Sequence, residues 1–76
     1  METNNNILDN FGKRVRALRI EKGLSQEDLA ELSNLDRTYI SSLERGHRNV
    51  ALKNLAAISS ALGISISTLL KGIDDD

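Results

Sequence analysis

The sequence contains no cysteine and no proline. Without cysteine, a disulfide framework and a thiolate metal site are both excluded, and the composition suits a reducing compartment. Without proline, and with no low-complexity stretch or internal repeat, nothing along the chain reads as a linker. Long apolar runs are missing as well: none approaches the roughly 20 residues a bilayer-spanning helix needs. The polar opening from Met1 to Asn6 is unlike a secretory leader. A cytoplasmic protein with no membrane partner is expected. Histidine occurs once, at His47, too little for a metal cluster, so neither a metal nor a cofactor is expected.

What is present is short. Seventy-six residues suffice for a single domain spanning 1–76, expected to be ordered over about 8–72 with flexible ends at the asparagines 4–6 and the final aspartates. A domain of this size buries only about 60% of the surface its unfolded chain exposes, which favours self-association. The net charge of −1 conceals a segregation. Five of the eleven acidic residues are Glu2, Asp9 and Asp74–Asp76, whereas the stretch from Asn10 to Ile73 holds all ten Lys and Arg against six acids, a net +4.

Gly23, Gly46, Gly63 and Gly72 punctuate apolar segments of helical spacing, and five short helices are predicted. The first spans Asn10–Lys22, with Phe11, Val15 and Leu18 on one face and Lys13, Arg14, Arg16, Arg19 and Lys22 elsewhere, a basic side suited to phosphate. Ser25, followed three residues later by Asp28, caps a second helix that turns Leu29 and Leu32 inward around Ala30 and ends near Ser33. Asn34 and Leu35 make a tight turn. Asp36 then caps a third helix through Arg45, with Ile40 and Leu43 on its buried face. The fourth covers Leu52–Leu62 and buries Leu55, Ile58 and Leu62, although Ala51 is a weak cap. Ser65 caps a last helix, Ile66–Lys71, whose Leu69 and Leu70 offer more apolar surface than a monomer can hide.

The second and third helices, joined by so short a turn, form a helix-turn-helix whose third helix fits the DNA major groove. Its exposed positions are expected to be Arg37, Thr38, Ser41, Ser42 and Arg45. Arg37 and Thr38 stand at the N-terminal end, the end such helices push against base edges. A guanidinium bonds guanine O6 and N7 together, a contact worth about 1–3 kcal/mol against a wrong base. Ser41 and Ser42 are the further candidates for base contact.

The run Leu24-Ser25-Gln26-Glu27-Asp28-Leu29-Ala30, followed by Leu35-Asp36-Arg37-Thr38-Tyr39-Ile40-Ser41-Ser42-Leu43-Glu44-Arg45-Gly46, resembles the Cro/CI-type (XRE) helix-turn-helix family from about Phe11 to Leu70. The resemblance implies an all-α, compact five-helix domain with the lambda repressor-like DNA-binding fold. Within the family, the Asp36–Ser41 run, Arg48-Asn49-Val50 and the lack of an appended domain are most similar to controller proteins of restriction-modification systems. By motif position it implies that Gln26 holds a phosphate and that Arg37, Thr38 and Ser42 meet bases. Tyr39, Arg45, Arg48 and Asn49 then line the sugar-phosphate track, and Arg19 and Glu44 form a structural ion pair. The implied partners are a double-stranded DNA operator, a second copy of the chain in a homodimer, and RNA polymerase. The implied location is the prokaryotic cytoplasm, on the nucleoid.

Competing readings share much of this pattern. The serines lack the base and orienting group that a nucleophile requires, and Glu44 has no opposing carboxylate, so no catalytic residue is assigned and an enzyme is not expected. An antitoxin would keep DNA binding but offer its last helices to a toxin. A protein-interaction module that does not use DNA is favoured only by the net negative charge.

Overall fold

The computed structural model describes residues 4–75, with side chains from Ile7 onward. Its helices are α1 (Asn4–Glu21), α2 (Gln26–Ser33), α3 (Arg37–Glu44), α4 (Leu52–Leu62) and α5 (Ile66–Leu69). There is no strand among the described residues, so the fold is all-α. None of these helices is long and apolar enough to cross a membrane.

The first four helices stop in the same way. A residue with φ between 59° and 80° follows the last turn: Gly23, Asn34, Gly46 and Gly63 in chain order. The next amide then reaches back five residues, Leu24 to Arg19, Leu35 to Ala30, His47 to Ser42 and Ile64 to Ser59, at 2.9–3.0 Å. This closure satisfies carbonyls the helix would leave open and reverses the chain within a few residues. At Asn34 it fixes the tight turn between α2 and α3.

Helix starts are less uniform. Ser25 closes a full capping box with Asp28, its hydroxyl accepting from the Asp28 amide and its own amide donating to the Asp28 carboxylate, both at 2.9 Å. Ser65 accepts from the Thr68 amide at 3.1 Å and opens α5. Asp36 occupies the cap position of α3 with extended backbone, but its side chain makes no cap hydrogen bond. Its contribution reduces to a negative charge near the positive end of the helix.

The core is formed by Phe11, Val15, Leu29, Ala30, Ile40, Leu43, Ile58, Leu62 and Leu69. Each of its fully buried Leu and Ile side chains stabilises the fold by roughly 1.5–3 kcal/mol. The helix α2 packs against α3 and α4, α1 against α3, and α5 against α4. The approach of α1 to α3 depends on Gly12, where a Cβ would lie 2.6 Å from the carbonyl oxygens of Leu43 and Glu44.

Several expectations are corrected. The first helix begins at Asn4 rather than Asn10, and asparagines 4–6 belong to it. Its second turn is packed from outside: Gly46 lies so near that a Cβ there would come within 3.0 Å of the Asp9 Cα, and Asn10 Nδ2 donates to the Ile73 carbonyl at 2.9 Å. Leu32 is 59% exposed, because the buried arc of α2 runs through Leu29, Ser33 and Ala30 and leaves Leu32 to one side. The last helix ends at Leu69, not Lys71. Leu69 is wholly buried within the monomer, and Leu70 is half-buried. Past α5, within the end expected to be flexible, the Asp75 amide donates to Gly72 O at 3.2 Å. Met1–Thr3 and Asp76, covered by the same expectation, lie outside the described residues.

Candidate nucleic-acid interface

The short α3 sets its two faces apart sharply. Ile40 and Leu43 are 0% and 1% exposed, while Arg37 and Thr38, in its first turn, are open to solvent. Neither of those two side chains has a hydrogen-bond partner among the described residues. Ser41 and Ser42, expected to be exposed, are instead half-buried, because they flank the buried Ile40 and Leu43 on so short a helix. Arg45 closes α3 in the open and places Nη1 3.4 Å from the Ser41 hydroxyl, so these two side chains share one position on the surface.

The loop from Arg45 to Ala51 carries exposed Arg48 and Asn49. Arg48 stacks over the Tyr39 ring, its guanidinium carbon 5.1 Å from the centroid. Such stacking attracts the cation to the ring face while leaving its N–H donors free. The Tyr39 hydroxyl accepts from Asn54 Nδ2 at 3.1 Å, which ties α3 to the first turn of α4. Asn54 was missed in the sequence, where nothing distinguishes a third-position asparagine in a helix from any solvated one.

Gln26 opens α2 and is half-buried; its Nε2 donates to Glu44 Oε1 at 3.1 Å. Glu44 also receives Arg19, Nε to Oε2 at 2.7 Å and Nη2 to Oε1 at 3.0 Å. The remaining Arg19 nitrogen, Nη1, donates to Leu24 O at 2.8 Å. Hydrogen bonding to Glu44 holds the Arg19 guanidinium above its ordinary pKa, against the opposing effect of burial. Among the described residues no buried side-chain nitrogen or oxygen lacks a partner, as a charge pair inside a protein requires.

The basic side of α1 is only partly free. Arg14 donates to the Thr68 carbonyl at 2.7 Å and to Leu69 O at 3.3 Å, capping the end of α5. Arg19 is occupied by Glu44, leaving Lys13, Arg16 and Lys22 exposed. The first turn of α4 has no side-chain cap at Ala51, so its leading amides are open to an external acceptor. At the start of α2 the Asp28 carboxyl is shifted. There the Ser25 amide, and secondly the Ser25 hydroxyl, hold the carboxyl below the usual carboxylate range. Among the described residues no cluster of His, Cys, Asp and Glu could hold a metal ion.

These exposed donors can bond base edges and phosphate oxygens. A helix-turn-helix family model matches residues 15–69. The chain is 49% identical over 73 residues to the control protein C.MunI of Mycoplasma sp, covering 95% of this chain and 99% of that protein. The crystal structure of the restriction-modification controller protein C.AhdI from Aeromonas hydrophila superposes with a TM-score of 0.80 at 53% identity, over 82% of this chain and 94% of that one. The controller protein C.Esp1396I, solved as a tetramer with its natural 35 base-pair operator, gives a TM-score of 0.80 at 42% identity over 88% of each chain.

Proposed function

The chain belongs to the Cro/CI-type (XRE) helix-turn-helix family, and from that premise we propose that it is a sequence-specific DNA-binding transcription regulator, the controller protein of a restriction-modification system. The observation that carries this is the exposure of Arg37 and Thr38 at the N-terminal end of α3, opposite a fully buried anchoring face. That is the arrangement with which a recognition helix enters a major groove.

Arg37 and Thr38 read bases, with Ser41 and Ser42 behind them. Gln26, Tyr39, Arg45, Arg48 and Asn49 engage the sugar-phosphate backbone, joined by backbone amides that begin α2 and α4. Arg48 is already placed on its Tyr39 platform, and Arg19 with Glu44 braces the helices behind the surface. The protein acts in the cytoplasm, on the nucleoid, as a single domain that needs no cofactor and catalyses no reaction.

Two copies bind a palindromic operator, their recognition helices entering major grooves about 34 Å apart. Since Leu69 is buried, the seam between copies uses Ile66 on α5 and Leu70 just after it, both half-buried. Operator position decides whether RNA polymerase is blocked or recruited, and the controller role entails autoregulation and timed expression of an endonuclease gene. Retention on random duplexes across a salt series tests the premise. Affinity should fall steeply and log-linearly with salt. No retention even at low ionic strength would reject DNA binding.

A further inference from the structure

Glu44 ends α3 with only 3% of its side chain exposed, and three side-chain donors converge on its carboxylate. Two come from Arg19 and complete the charge pair. The third, from Gln26, adds nothing to charge balance; its effect falls on Gln26 itself. A primary amide carries two N–H donors on one end and an acceptor on the other, and half a turn of the last torsion exchanges them. Against a carboxylate only the nitrogen end is favourable, because the oxygen end would bring two acceptors together. With one N–H committed to Glu44, the planarity of the amide fixes the direction of the second.

We infer that Glu44 is a positioning residue for DNA binding, holding the Gln26 amide so that its free N–H, rather than its carbonyl, meets a phosphate. The inference rests on the phosphate contact proposed for Gln26 and adds the reason that contact is effective. A free glutamine rotor would present acceptor and donor in turn and lose freedom on binding, whereas a side chain fixed beforehand has already lost it. Arg19 completes the device by neutralising a carboxylate that would otherwise repel the same phosphate. The brace between α1 and α3 and the grip at the start of α2 thus share one carboxylate.

Gln26 is the only glutamine in the chain, so labelling glutamine alone with 15N isolates its side-chain amide from those of the asparagines in the NMR spectrum. Before DNA is added, the side-chain amide should be ordered, and an order parameter in the flexible range, below about 0.6, would overturn the inference. A second measurement uses the paired replacement of Arg19→Met with Glu44→Leu, which removes the acceptor without stranding a buried charge. Circular dichroism checks that this variant folds. Gln26→Ala should weaken binding to a random duplex by about three- to tenfold. The paired replacement should cost a similar factor when Gln26 is present and nearly nothing when residue 26 is already alanine. Losses that multiply independently would contradict positioning. An ordered amide whose removal leaves affinity unchanged would instead reject the phosphate contact beneath it.

Discussion

Gly12 of α1 lies against Glu44, the last residue of α3, so closely that a Cβ on Gly12 would sit 2.6 Å from the Glu44 carbonyl oxygen. The obstacle is backbone at a helix end, which cannot swing aside as a side chain would. The side-chain pair of Arg19 and Glu44 forms beside the same junction. Gly12→Ala should therefore destabilise the fold by about 1–3 kcal/mol, despite alanine's better helix propensity. Urea unfolding monitored by circular dichroism checks this; unchanged or increased stability would show that α1 shifts without strain.

The capping box of α2 predicts a pH dependence with a definite sign. Asp28 has its carboxyl lowered by the Ser25 amide and hydroxyl, so its folded-state pKa lies below its unfolded one. The stability it contributes is present above the unfolded carboxylate range and is lost as pH falls through the folded value. Wild-type protein should exceed Asp28→Asn in thermal midpoint at neutral pH, with the gap narrowing on acidification below about pH 4. A gap that widens in acid would contradict this reading of the cap.

On α5, adjacent surfaces separate folding from association. Leu69 is fully buried, so Leu69→Asp should unfold the monomer, seen as lost helical circular dichroism. Ile66 is half-buried but is not packed on the core, so Ile66→Asp should leave the fold intact and shift sedimentation from dimer to monomer. A folded Ile66→Asp dimer would move the seam away from α5.

Within the proposed DNA surface, base reading and backbone contact should respond differently. Arg37→Ala is expected to relax preference at one position per half-site, a loss of about 1–3 kcal/mol confined to the specific operator. Arg48→Ala should weaken all duplexes alike and lower the salt slope by about one. Fluorescence anisotropy on operator and random DNA across salt distinguishes the two; equal losses on both duplexes for both variants would deny the division.

Much of this arrangement was legible locally. Glycines after apolar runs and Ser25 and Ser65 before them are chemical signals for stops and starts, and the helices fall between them. Spacing alone failed where a partner decided the outcome. Ser33 takes the buried place expected of Leu32 because its hydroxyl bonds the Leu29 carbonyl at 2.6 Å, which offsets the cost of burying it. The early turns of α1 carry little apolar signal, and their contacts at Asp9 and Asn10 are to Gly46 and Ile73, distant in sequence. Leu69 is covered by the folded chain, a fact that no count of apolar residues in α5 contains. In the candidate interface, the exposed α3 residues followed from helical periodicity, whereas the bond from Asn54 to Tyr39 and that from Gln26 to Glu44 depend on tertiary contact.

The central claim is that this protein reads DNA as a symmetric dimer through the first turn of α3. Selection of bound duplexes from a random-sequence pool tests it most directly. The predicted result is one enriched motif with two inverted half-sites, centred about one helical turn apart, each containing a guanine whose enrichment disappears with Arg37→Ala. A pool that remains random, or a motif unaffected by Arg37→Ala, would contradict the account.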